Sequence, residues 1–186
     1  AAPEQHRHPA TLPARLRTLA TGLVPLFILA HFSHHVVGAM LTPLLPFIKT
    51  DLSLSNTQLG LLGSAYNLPY GIGQLPGGWL ADRIGPRRLI LVGVCGVAVA
   101  GLLVGLSPGF VLIAASLVLL GLAGGGYHPA ASPLVSASVA EGSRGRALGL
   151  HQIGGTASFF LTPLIAAGLA TALGWRGSFI TVAIPT

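Results

Sequence analysis

Histidines inside long apolar segments are the residues of this 186-residue chain that are best suited to chemistry. An imidazole titrates near neutral pH, so it can take up a proton, release it, and donate or accept a hydrogen bond. No Asp or Glu lies within those segments, which leaves imidazole as their main ionisable group. Five of the seven histidines are in this position: His31, His34, His35, His128 and His151.

The spacing of the first three histidines indicates a shared helix face. His31 and His35 are four residues apart, with His34 on a neighbouring row. Because an unpaired buried imidazole is costly, these rings should face a cavity or a partner. The alternative is neutral histidines bonded to Ser, Thr or backbone. Two rings on one face also suit a metal ion, but the sequence identifies no further ligand, and we predict no metal or cofactor.

Other polar side chains accompany the histidines along the apolar segments. Asn67, Tyr70 and Gln74 fall on one face of a helix by their three- and four-residue spacing. A polar stripe of this kind should point inward, toward a pore or a partner helix. The remaining predicted binding residues are Tyr66, Tyr127 and Gln152.

A glycine run precedes Tyr127 and His128. Gly121 and three successive glycines at 124–126 weaken a helix, and Pro129 removes a backbone donor. Such an interruption is tolerated at membrane depth only against protein or water. The run therefore predicts either a broken helix that lines a cavity or close helix packing through small residues.

Composition excludes a soluble protein. Hydrophobic residues make up 52% of the chain, charged residues 8%, and the mean hydropathy is +0.75, whereas soluble domains carry about a quarter charged residues. The net charge of +6 resides in short loops beside apolar segments and does not indicate nucleic-acid binding. Cys95 is the one cysteine, so there is no disulfide framework. We predict an all-α integral membrane protein that is not an enzyme.

The apolar segments and their breaks predict a partial bundle over residues 19–186, after a polar tail at 1–18. Ser55 and Gln58 form a capping box at the start of the second span. Ser107-Pro108-Gly109 separates the third span from the fourth. The predicted spans are 18–48, 52–81, two within 89–140, 147–173, and a sixth that begins near Ser178 and is cut short at Thr186.

Basic residues set the predicted orientation. Of ten Lys and Arg, three lie in the tail, three in the 82–88 loop and two in the 141–146 loop. The positive-inside rule places these regions in the cytoplasm. The expected location is therefore the cell inner (plasma) membrane, multi-pass, with a cytoplasmic N-terminus.

The charged loop between the second and third spans resembles the corresponding loop of major facilitator superfamily transporters. The matching residues are Gly78, Asp82, Arg83, Gly85, Arg87 and Arg88. The resemblance implies the N-terminal six-helix bundle of a twelve-helix fold, with a C-terminal bundle as its partner. It also implies a gating role for the loop, in which an ion pair of Asp82 with Arg83 and Arg87 latches one state.

The histidines, the run Gly-Gly-Gly-Tyr-His-Pro and the run Arg-Gly-Arg-Ala-Leu-Gly-Leu-His-Gln are similar to the fosmidomycin-resistance branch of that superfamily. Small residues around Pro163 in the fifth span resemble an exporter pattern, or serve generic packing. The resemblance implies proton-coupled efflux of a small drug-like or anionic compound by alternating access. Uptake of a small metabolite and a non-transporting membrane scaffold or sensor are the alternatives.

Overall fold

The computed structural model describes residues 22–186, so the predicted cytoplasmic tail at 1–18 lies outside the described residues. Within them the chain is helical and contains no strand. The helices are α1 Val24–Ala39, α2 Leu41–Leu52, α3 Asn56–Ile84, α4 Pro86–Leu106, α5 Phe110–Gly125, α6 Tyr127–Ala137 and α7 Arg144–Ala183, with a short 3₁₀ turn at Glu141–Ser143 before α7.

Four stretches of the described chain are long and apolar enough to cross a membrane. They are Val24–Leu52, Pro86–Leu106, Phe110–Ala137 and Glu141–Ala183, so α1 with α2, and α5 with α6, each make one span. The second predicted span, α3, is not among the four. Its 29 residues are about 43 Å long, enough to cross, but they include the polar stripe and several glycines.

Local sequence signals set the helix ends. The predicted capping box is confirmed: Ser55 Oγ accepts a hydrogen bond from Gln58 N at 3.3 Å, and Gln58 Oε1 accepts one from Ser55 N at 2.9 Å. The predicted break at 107–109 is also confirmed, because α4 ends at Leu106 and α5 begins at Phe110. The fifth and sixth predicted spans are joined within α7 at a kink, where Gly174 has a φ of 67°.

Glycines let α3 and α5 touch backbone to backbone. A Cβ on Gly121 would meet the carbonyl oxygen of Tyr66 and lie 2.9 Å from the backbone nitrogen of Tyr70. A Cβ on Gly125 would lie 2.7 Å from the carbonyl oxygen of Tyr70. The other helices pack around α3 and α5. Helix α1 packs on the first part of α7, and α4 packs on α5 and on the part of α7 after the kink.

An ion pair links three parts of the chain at one end of the bundle. Arg176 Nη1 lies 2.6 Å from Asp51 Oδ2, and Trp175 Nε1 donates to the same oxygen at 3.2 Å. Arg176 Nε also donates to the carbonyl oxygen of Ser107 at 3.3 Å. This cluster ties the end of α2 to the α4–α5 turn and the kink of α7. It lies near the start of α3, at the opposite end from the 78–88 loop.

The ion pair expected within the 78–88 loop is not formed. Within residues 22–186 the ion pair is that of Asp51 with Arg176, and the guanidinium of Arg83 lies over the Trp79 ring, 4.1 Å from its centroid. Neighbouring residues on a helix do not face each other, which keeps the exposed side chains of Asp82 and Arg83 apart. Arg87 lies beyond the sharp turn at Gly85, where φ is 88°.

The glycine contacts predict a stability loss. Gly121→Ala should lower the free energy of unfolding by about 1–3 kcal/mol, because its methyl group would force two backbones apart. Thermal unfolding of the complete protein in detergent measures the loss. Gly71→Ala is the matched control, since a Cβ there meets nothing within 4 Å; equal unfolding midpoints for the two variants would contradict the packing argument.

Candidate functional site

Three histidine rings from two spans of the bundle lie together in one cluster. The ring centroids of His31 and His35 are 4.8 Å apart, those of His31 and His128 are 5.1 Å apart, and those of His35 and His128 are 5.2 Å apart. His31 and His35 lie one helical turn apart on α1, as predicted, while His128 comes from the start of α6. The shared face of α1 is therefore completed by a residue from a different span.

A break in the fourth span positions His128. The helix α5 ends at Gly125, and α6 begins at Tyr127. The glycine run was expected to give either close helix packing or a broken helix beside a cavity. The glycines do pack against α3, and His128, just after the run, lines a cavity.

Tyr127 supports the histidines from behind. Its side chain is fully buried, stacks on His34 at 4.7 Å between ring centroids and on His31 at 5.4 Å, and donates to the carbonyl oxygen of Phe27 at 3.3 Å. In this structure Tyr127 is sealed in packing, so it orients imidazoles rather than reaching the cavity.

Hydrogen bonds to backbone determine two of the tautomers. Nδ1 of His31 donates to the carbonyl oxygen of His151 at 2.8 Å, and Nδ1 of His151 donates to that of Phe27 at 3.2 Å. A carbonyl only accepts, so each ring carries a proton on Nδ1, and in the neutral form its Nε2 has a free lone pair. Both Nε2 atoms are buried without a partner in the described chain. His35 and His128 instead face each other, with their Nε2 atoms 3.2 Å apart.

Two adjoining cavities open beside the histidines. One, of about 230 Å³, is lined by the three rings and by Gln152, Gly155, Thr156 and Phe159. The other, of about 190 Å³, is lined by His35, Tyr66, Asn67, Tyr70 and Phe159 among others. His35 and Phe159 belong to both walls. Within residues 22–186, neither cavity has an Asp, Glu, Lys or Arg in its lining.

The remaining predicted site residues lie behind or beside these walls. His34 is 2% exposed, and neither of its ring nitrogens has a partner in the described chain. His151 is 1% exposed and stacks on His31 at 4.2 Å between centroids. Gln74 lines neither of the two cavities. Sequence reasoning missed Thr156 and Phe159, although they follow Gln152 at the spacing of one helix face.

The sequence profile of the Major Facilitator Superfamily matches residues 27–186. The chain belongs to the Major Facilitator Superfamily. It is 29% identical over 154 residues to the probable sulfoacetate transporter SauU of Cupriavidus necator, covering 83% of this chain and 36% of that protein. It is 31% identical over 137 residues to the probable L-galactonate transporter of Escherichia coli K12, covering 74% of this chain and 30% of that protein.

A third superfamily relative is the puromycin resistance protein pur8 of Streptomyces alboniger, 35% identical over 143 residues, covering 75% of this chain and 28% of that protein. The chain thus spans about a third of the length of these relatives. Superfamily membership makes it a multi-pass integral membrane protein related to transporters of small molecules.

Solved structures share the superfamily fold. A crystal structure of a peptide transporter has a TM-score of 0.77 at 21% identity, covering 87% of this chain and 35% of that one. A bacterial homologue of the human lysosomal transporter Spinster, in an inward-facing and unoccupied conformation, has a TM-score of 0.73 at 23% identity. The match covers 95% of this chain and 41% of that chain. The predicted all-α N-terminal six-helix bundle is confirmed, with the part of α7 after Gly174 as its sixth helix.

Water access along α7 tests the cavity wall. In a Cys95→Ser background, Thr156→Cys should react at least about tenfold faster with a membrane-impermeant thiol reagent than Ser158→Cys. Thr156 is exposed in the cavity wall, Ser158 is fully buried two residues further along the same helix, and thiols react as thiolates in accessible positions. Labelling rates of the complete protein in membranes measure the difference; faster reaction at 158 would show that α7 is rotated from the described orientation.

Proposed function

We propose that the protein containing this bundle is a proton-coupled transporter that moves a small organic anion by alternating access. The observation that carries the proposal is the cavity wall of His31, His35 and His128, whose lining has no fixed charge among residues 22–186. A protonated imidazole supplies both positive charge and hydrogen-bond donors to an anion. Tyr66, Asn67, Tyr70 and Gln152 add further polar contacts at the same walls.

The names of several relatives support an organic anion as the substrate class. Besides the sulfoacetate and L-galactonate transporters, the relatives include the cis,cis-muconate transport protein of Acinetobacter baylyi and the hexuronate transporter of Bacillus subtilis. All four named compounds carry a carboxylate or a sulfonate near neutral pH.

The chemistry of the wall favours cotransport of proton and anion. An anion that binds to imidazolium binds the protonated state, so proton and substrate occupy and leave the site together. An inward proton gradient then drives uptake of the anion. The sequence predicted efflux, with uptake of a small metabolite as the alternative.

Efflux in exchange for protons is the second candidate. Two relatives favour it, the puromycin resistance protein and the tetracenomycin C resistance and export protein of Streptomyces glaucescens. The small residues around Pro163 agree with this alternative. The fosmidomycin-resistance branch and a drug-like substrate remain predictions from sequence, as do a C-terminal partner bundle, an inner-membrane location and a cytoplasmic N-terminus.

Joint replacement of the wall histidines tests the proton coupling. In vesicles containing the complete protein, His31→Gln, His35→Gln and His128→Gln together should reduce flux of labelled galactonate, muconate or sulfoacetate at least about a hundredfold and abolish its pH dependence. His6→Gln with His8→Gln, in the tail, is the control.

The same assay separates the two directions. Under an imposed proton gradient, cotransport accumulates the label on the side to which protons flow, and exchange depletes it there. Undiminished flux with the parent pH dependence in the triple variant would refute the role of the wall.

The gating role of the 78–88 loop stays a prediction with its own test. Asp82→Asn should lower flux at least about tenfold, equivalent to about 1.4 kcal/mol on a rate-limiting step, with expression and substrate binding unchanged. Asp82 is exposed and makes no ion pair in the described chain, so the substitution spares the packing seen here. Glu141→Gln, at the exposed acid of the next charged loop, is the matched control; normal flux in Asp82→Asn would exclude the latch.

A further inference from the structure

We propose that His31, His35 and His128 form a binding site for a divalent transition-metal ion such as Zn²⁺ or Co²⁺, with one coordination position open to the cavity. One ring nitrogen from each residue lies within 4.8 Å of the others. Sequence spacing supplied two ligands from α1 and gave no reason to choose a third. The fold supplies it from α6, 93 residues after His35.

The nitrogen positions approach those of a tetrahedral site. With metal–nitrogen bonds of about 2.0–2.1 Å, tetrahedral angles place two ligand nitrogens about 3.3 Å apart and two ring centroids about 5 Å apart. The Nε2 atoms of His35 and His128 are 3.2 Å apart, and the three centroid separations are 4.8, 5.1 and 5.2 Å. The three ring nitrogens all lie within 4.8 Å of one another, so tetrahedral separations require at most about 1.5 Å of closure. The ring of His128 is only half-buried at the cavity edge, and it has room to move.

The protonation pattern supplies lone pairs. Because Nδ1 of His31 donates to the carbonyl oxygen of His151, the lone pair of the neutral ring is on Nε2, and that atom is buried without a partner in residues 22–186. A ring N–H held by a backbone carbonyl is the usual support of a metal-binding histidine, since it fixes both tautomer and orientation. The Nε2 atoms of His35 and His128 lie 3.2 Å apart, so one of them donates its hydrogen to the other. A metal ion bound by both nitrogens would replace that hydrogen.

The surroundings favour an imidazole-preferring cation. No Lys or Arg lines the cavity within the described chain, so no fixed positive charge opposes a metal ion. Three histidines with an open fourth position are a known arrangement for zinc, and imidazole sets also suit cobalt, nickel and copper. Gln152 and Thr156 lie on the cavity side of the rings, where a water at the fourth position would find hydrogen-bond partners.

Cobalt spectroscopy on the purified complete protein tests the site without any transport assay, so its outcome is separate from that of the proposed function. The protein carries an affinity tag free of histidine and the substitutions His6→Gln and His8→Gln, and is stripped with a chelator. Titration with CoCl₂ should give one equivalent of the visible spectrum of tetrahedral Co²⁺, and ZnCl₂ should abolish it. His128→Gln should weaken binding at least about a hundredfold.

Two further variants separate ligation from folding. His128→Cys should restore binding and add a sulfur-to-cobalt charge-transfer band, which a merely structural role of this residue would not produce. His34→Gln, which removes an imidazole adjacent to the site but outside the three, should weaken binding far less than His128→Gln does. Size-exclusion chromatography checks that each variant is monodisperse. The proposal is overturned if no tetrahedral spectrum appears, if His128→Gln binds as the parent does, or if His34→Gln loses binding equally.

Discussion

The backbone contact between α3 and α5 is the constraint on which the site depends. Gly121 and Gly125 allow the two helices to touch at the level of Tyr66 and Tyr70. The break between α5 and α6 is confined to Gly126, whose φ of −72° and ψ of −12° stay in the helical region, and the contact with α3 supports α5 up to that point. Tyr127, just after the break, lies inside the bundle, and His128 lies at the cavity. The position of these two residues therefore depends on Gly121 and Gly125, which let α5 approach α3.

Stacked rings hold the wall in one arrangement. His31 lies between Tyr127 and His151, with interplanar angles of 22° and 18° and centroids 5.4 and 4.2 Å away. Carbonyl oxygens of Phe27 and His151 fix the tautomers of the two stacked histidines. The alternative interpretation had histidines bonded to backbone, and His31 and His151 make such bonds. His35 and His128 instead contact each other through their Nε2 atoms.

Local signals made much of the fold predictable, and long-range contacts made the rest unpredictable. The Ser55–Gln58 box, the break at 107–109 and the face shared by His31 and His35 each depend on residues a few positions apart. The pairing of Asp51 with Arg176 spans 125 residues, and that of His35 with His128 spans 93. Tyr127 was predicted to help bind substrate next to the glycine run. The hydrogen bond from its hydroxyl to the carbonyl oxygen of Phe27, 100 residues away, could not be seen from local sequence.

The proposed metal and the proposed anion make compatible demands on the wall. Three neutral imidazoles leave the full charge of a divalent ion uncompensated, and no carboxylate lines either cavity within residues 22–186. In a site of low dielectric such a charge is costly unless a counter-charge lies close to it. A carboxylate or sulfonate oxygen at the open coordination position would supply that counter-charge. Because the wall has no fixed charge among residues 22–186, the net charge of the site is set by the proton or metal ion that it binds. Either cation would favour binding of an anion in the same cavity.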